Sequence, residues 1–90
     1  MAANQGHRDA QYLLGVCYKD GKAVKENISE ALKLFKLAAA QGQSDAQFML
    51  GDLYYNGIGI KKDIKMGTEF YRLAANQGHQ RAKEKLIEMT

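Results

Sequence analysis

Three glycines, Gly6, Gly42 and Gly78, stand 36 residues apart, and the same step carries Ala10 onto Ala46 and Ala82, and Leu14 onto Leu50 and Leu86. It also joins Gly15 to Gly51, Tyr18 to Tyr54, Gly21 to Gly57 and Phe35 to Tyr71, and lays Leu37-Ala38-Ala39 over Leu73-Ala74-Ala75. So many matches in one ungapped register define an internal repeat. A chain of this kind folds as a stack, because one helix pair buries its apolar face only against the next pair. Three units are the usual minimum for stability. The 90 residues hold about two and a half.

Apolar residues within each unit recur three or four positions apart, the period of a helix. The complete absence of proline suits an all-helical chain. The predicted fold class is therefore all-α, a solenoid of helix pairs, each with an A helix followed by a B helix. The net charge of +3 is mild and its carriers are interspersed, with Lys33, Lys36, Lys61, Lys62 and Lys65 set against Glu26, Glu30, Asp63 and Glu69. Such solvated faces lack the dense basic stripe of a nucleic-acid footprint, so no nucleic acid is expected as a partner. No apolar run nears the about 20 residues that span a bilayer, so no membrane is expected either. The amino end shows no charged-then-apolar leader. The single cysteine, Cys17, forms no internal disulfide and takes the position of Leu53, as a small buried hydrophobe would. These features lead to the expectation of a cytoplasmic protein or a piece of a larger one.

Taken in order, Met1 to Gln5 align with the end of a B helix, and Gly6 is expected to end it. Residues 6–41 form the first repeat, 42–77 the second and 78–90 a C-terminal capping A helix. The first A helix is expected from about Asp9 to Lys19, the second from Ser44 to Asn56, and the B helices from Asn27 and from Ile64 to Asn76. Asn27 and Asp63 read as N-caps, Asn27 with Glu30 completing a capping box. Val24 and Ile60 read as the apolar anchors of the two loops. Gly15 and Gly51 lie inside helices, where glycine costs about 1 kcal/mol relative to alanine, so a neighbouring helix must approach closely there. Gly67 and Thr68 replace Ala31 and Leu32, which weakens the second B helix. The residues expected to pack the repeat are Ala10, Leu14, Gly15, Tyr18, Phe35, Ala38, Ala46, Leu50, Gly51, Tyr54, Tyr71 and Ala74. In the last helix Ile87 takes the glycine position and Thr90 the tyrosine position, and Arg81, Lys83, Glu84, Lys85 and Glu88 make the remainder polar. That pattern reads as a cap.

The series Ala10-x3-Leu14-Gly15-x2-Tyr18-x2-Gly21, then Ala31-x3-Phe35-x2-Ala38-Ala39-x2-Gly42, resembles the Sel-one-like repeat, a relative of the tetratricopeptide repeat. The second copy resembles it more closely, with Gly57-Ile58-Gly59-Ile60 and Asp63, where the first has Ala23 and Asn27. The resemblance covers essentially the whole chain. It implies a right-handed superhelix of antiparallel helix pairs and a non-catalytic role as scaffold or adaptor, with a partner peptide or protein on a concave face lined by A helices. On that face the candidate contacts are Tyr12, Val16 and Lys19, then Phe48, Asp52 and Tyr55, with Arg81 in the last helix. Gln11 and Gln47 either bond a ligand backbone or complete helix starts, Gln47 in a box with Ser44.

Alternatives are self-association through the open N-terminal edge, with Ala2, Ala3 and the apolar side of the first A helix in contact, and RNA binding by a helical-repeat code. No cofactor or metal is expected. His7 and His79 share one repeat position, too far apart along a stack to bind one ion, and read as solvated turn residues. Gly57-Ile58-Gly59 with Lys61-Lys62 lacks the preceding strand and wider glycine pattern of a phosphate loop. No nucleophile–base pair is visible, and no enzyme is expected.

Overall fold

The computed structural model describes residues 2–22 and 25–89; Met1, Ala23, Val24 and Thr90, and with them the expected loop anchor Val24 and the tyrosine-position Thr90, lie outside the described residues. Five helices follow one another: α1 (Ala2–Asp20), α2 (Ile28–Ala40), α3 (Ser44–Asn56), α4 (Ile64–Asn76) and α5 (Gln80–Glu88). Each packs chiefly on its neighbours in sequence. The result is a slab of 37 × 32 × 17 Å, two helices thick, with A helices α1, α3 and α5 alternating with B helices α2 and α4.

The turn from B helix to A helix is as short as a chain permits. After α2, the Gly42 amide donates to the Ala39 carbonyl and the Gln43 amide to the Ala38 carbonyl, at 2.9 and 3.0 Å. Gly78 and His79 repeat both bonds to Ala75 and Ala74. This is a Schellman ending, and it needs a left-handed residue at Gly42 (φ 85°) and Gly78 (φ 90°). The next residue leaves in extended conformation, which is already the backbone of an N-cap. The cap of α3 is therefore Gln43, not Ser44: its side-chain oxygen accepts from the Ala46 amide.

Inside each pair, a ring of the B helix sits on a glycine of the A helix. A Cβ built on Gly15 would stand 2.7 Å from Phe35 Cε1, and one on Gly51 2.5 Å from Tyr71 Cδ1. The close approach expected of both glycines is present. Gly67 deepens it in the second pair, since a Cβ there would meet the Gly51 carbonyl at 2.9 Å and the Tyr55 amide at 2.8 Å. Its poor helix propensity thus accompanies a packing role. Phe35, Ala31 and Ala38 from α2 join Ala46, Leu50 and Leu53 from α3 in one core, and Phe48, Tyr71, Ala74 and Ala82 form a second. Burying a ring such as Phe35 contributes about 2–3 kcal/mol.

The A-to-B loops match bond for bond. Asn27 and Asp63 donate their amides to the Tyr18 and Tyr54 carbonyls, and cap α2 and α4 by accepting from the Glu30 and Met66 amides. Ile60 packs against the first core as a loop anchor.

The amino end departs from the repeat. No break occurs at Gly6: α1 runs continuously from Ala2 through it to Asp20, so residues 2–5 belong to α1 and not to a preceding B helix. At Gly42 the reversal is held by the helices on either side, whereas a B-helix end of five residues would fix several dihedrals for almost no hydrogen bonds. Continuing the helix gains those bonds for the roughly 1 kcal/mol that an internal glycine costs. Two residues expected to pack the repeat are consequently exposed. Ala10 is open to solvent, and Leu14 is 43% exposed where its counterpart Leu50 is fully buried under α2.

Alanine substitutions separate the two kinds of helical glycine. Gly51→Ala and Gly67→Ala should each cost about 1–3 kcal/mol in urea denaturation, by overpacking against a ring or backbone. Gly6→Ala, with nothing within 4 Å of the new methyl, should stabilise by up to about 1 kcal/mol.

Candidate functional site

The seven candidate contacts divide by what already occupies them. Phe48 is not a free anchor: it is 3% exposed, tilted against Tyr71 and stacked on the His79 imidazole at 4.7 Å between ring centroids. The site where a partner ring would sit is filled by the chain's own. Asp52 is committed as well, accepting the hydroxyl proton of Tyr71, which lies within reach because its ring is seated on Gly51. Tyr12 leans on Phe35, and Val16 packs against the first core, each keeping part of its surface open. Lys19 pairs with Asp20. Arg81 is exposed, its guanidinium 5.0 Å above the Phe48 ring. Tyr55 is half-buried against Tyr71.

The polar residues at the helix starts form joints between repeats. Gln43 and His79 are equivalent, and each works at both ends. Gln43 caps α3 with its oxygen and donates its amide to Asp9 of α1 at 3.3 Å. His79 caps α5 by accepting from the Ala82 amide at Nδ1, while Nε2 meets the Asp45 carboxylate of α3 at 2.8 Å. An imidazole that accepts at Nδ1 carries its proton on Nε2, where it donates to Asp45. His79 is therefore a structural cap and brace rather than a solvated turn residue. Gln11, half-buried, and Gln47, buried, also bond within the chain: they accept from Gln41 and Gln77 at 2.7 and 2.8 Å, tying α1 to the end of α2 and the start of α3 to the end of α4. Gln47 also donates to the Ala39 carbonyl. A side chain able both to donate and to accept, placed directly after the turn glycine, was the signal for these joints.

Beside these residues a cleft of about 220 Å³ lies between the C-terminal ends of α3 and α5, lined by Tyr55, Asn56, Tyr71, Lys85, Glu88 and Met89. Of these only Tyr55 was among the expected face contacts; Tyr71 was expected in the packing, and Lys85 and Glu88 only as polar residues of the last helix. The cleft offers a phenol, an amide, an ammonium and a carboxylate within a partly apolar wall, a set that takes a polar side chain or a stretch of peptide backbone. Among the described residues no group of three or more His, Cys, Asp or Glu is placed to hold a metal, and no helix is long and apolar enough to cross a membrane.

Two tyrosines on this face have raised pKa values. For Tyr71 burial is the larger cause, followed by the bond it donates to Asp52. For Tyr12 burial again leads, followed by the negative charge of Asp45.

A stack of helix pairs held by glycine-seated rings defines an all-α helical-repeat protein. Within that class the chain belongs to the Sel1 repeat family, whose pattern matches residues 8–43 and 44–79. These units start two residues after Gly6 and Gly42, which mark the 36-residue step. Among solved structures, the chain is similar to a Sel1 repeat protein from Oxalobacter formigenes, at 37% identity and a TM-score of 0.87 over 90% of this chain and 61% of that one. It is also similar to c5321, a protective antigen of uropathogenic Escherichia coli with an SLR fold, at 37% identity and a TM-score of 0.85 over 93% of this chain and 18% of that one. The chain thus spans less than two thirds of either protein. No curated protein sequence matches it.

The joint at His79 is testable against its own copy: His79→Ala should cost about 1–2 kcal/mol in thermal or urea unfolding through the lost cap, whereas His79→Gln, which installs the side chain used at Gln43, should stay near the parent. The tyrosines set an alkaline limit. A group whose pKa is raised in the folded state adds stability that is intact below its unfolded pKa, near 10 for tyrosine, and is lost as pH rises through the folded value. Absorbance at 295 nm should show Tyr71 ionising only with alkaline unfolding, and Tyr71→Phe should flatten the fall in stability above about pH 10.

Proposed function

We propose that this Sel1 repeat chain is a non-catalytic protein-interaction scaffold that holds a segment of a partner protein on its A-helix face, at the cleft between α3 and α5. The observation that carries this reading is the division of labour on that face. Phe48, Asp52, Gln47 and His79 are spent on internal contacts, while Tyr55, Lys85 and Glu88 converge on an open cleft and Arg81 is exposed beside it. A half-buried tyrosine with its ring fixed by packing gives large contact area at small entropy cost. Charged groups of both signs at the rim select a polar or zwitterionic segment and fix its direction. Protein interaction is also the general role of the family.

The test is selection of peptides from a displayed library, followed by calorimetric titration of the selected sequences. Tyr55→Ala and Lys85→Glu should each weaken binding by about tenfold or more with the circular-dichroism spectrum unchanged, and Leu37→Ser on α2 should leave it intact. Selected peptides that bind equally well to both cleft variants would overturn the reading.

A further inference from the structure

A groove of about 320 Å³ lies between the two B helices and shares no residue with the cleft. On one side it is lined by two small residues of α2, Ala39 and Ala40, and on the other by Met66, Phe70 and Leu73 of α4. Tyr54 of α3 joins them, its ring stacked on Phe70 at 5.6 Å between centroids. Met66 and Leu73 stay 41% and 49% exposed, although α4 packs against both α3 and α5. No lining residue belongs to the first or the last helix, so the groove is a product of how α2, α3 and α4 pack.

The charge at its rim has one sign. Lys36 lines the groove, is exposed, and makes no ion pair among the described residues, and no aspartate or glutamate lines it. The wider field agrees. The helices α2 and α4 and the loops leading into them (residues 21–27 and 57–63) carry eight lysines and arginines against four acids, whereas the rest of the chain carries five against six. The net charge of +3 thus comes wholly from the B helices and their loops. An apolar trough under a free ammonium, on the positive part of the molecule, complements a segment with an apolar stripe and acids beside it.

We infer that this groove docks an acidic amphipathic helix of a partner protein. Two of its apolar side chains, one turn apart, lie between Ala39, Ala40 and Leu73, and an aspartate or glutamate of the same helix pairs with Lys36. Met66 to Leu73 covers two turns of α4, about 10 Å, which sets that spacing. The volume stands at the low end of the about 300–1,000 Å³ usual for ligand pockets, room for side chains of a short segment. The thioether of Met66 adapts to their exact shape. This contact goes beyond the cleft between α3 and α5 and does not depend on it.

Selection on the chain carrying both Tyr55→Ala and Lys85→Glu tests it, because that bait lacks the cleft and captures only what binds elsewhere. The probe is a displayed library of helical peptides of about 15 residues with varied apolar and charged positions. The selected sequences should be acidic, carry apolar residues three or four apart, and bind the parent chain equally well. Lys36→Glu and Leu73→Glu should each weaken them by about tenfold or more, with the helical spectrum and unfolding midpoint near the parent's, since both side chains are exposed. Added salt should weaken them too. An empty selection, a basic consensus, or peptides indifferent to either substitution overturns the proposal. The cleft reading survives all three, because its own peptides are selected on the parent chain and lost with Tyr55→Ala. Binding to phosphatidylserine vesicles that Leu73→Glu abolishes would make a lipid surface the occupant and overturn the proposal equally.

Discussion

A ring of each B helix rests on a glycine of its A helix, and most of the remaining arrangement follows from that contact. With no Cβ at Gly15 or Gly51, Phe35 and Tyr71 reach the helix backbone itself, and the two helices of a pair approach more closely than side chains of ordinary size would allow. In the second pair Gly67 removes the last obstacle from the other side. The depth of the Tyr71 ring then decides the chemistry above it. Its hydroxyl arrives at Asp52, its faces take Phe48 and Tyr55, and Phe48 in turn stacks on His79. The open face thus inherits its shape from a contact two layers below.

This dependence explains which parts of the molecule were legible in the sequence. Residues whose role is settled within one helix pair were read correctly: Gly15 and Gly51 as close-approach points, Asn27 and Asp63 as caps. Residues whose role depends on what stands next to them were not. Leu14 matches Leu50 in identity and spacing, yet one is exposed and the other buried, because only Leu50 has a B helix in front of it. Gly6 matches Gly42, but a glycine permits a reversal without enforcing one, and without packing around it the helix runs on. A pattern match states what a residue can do; its neighbours determine whether it does so.

The misassigned polar residues follow a second rule. Ser44 was the better N-cap by residue preference, but the Schellman turn fixes the residue after glycine in extended conformation, so the cap falls to Gln43 whatever its propensity. Once a long side chain occupies that place, its second polar end is left over, and a buried amide or imidazole must be satisfied. Asp9, inside α1, and Asp45, in the first turn of α3, supply the partner. The same pressure turns Gln11 and Gln47 inward. Under the proposed function, recognition falls to side chains not spent in this way, such as Tyr55 and Lys85.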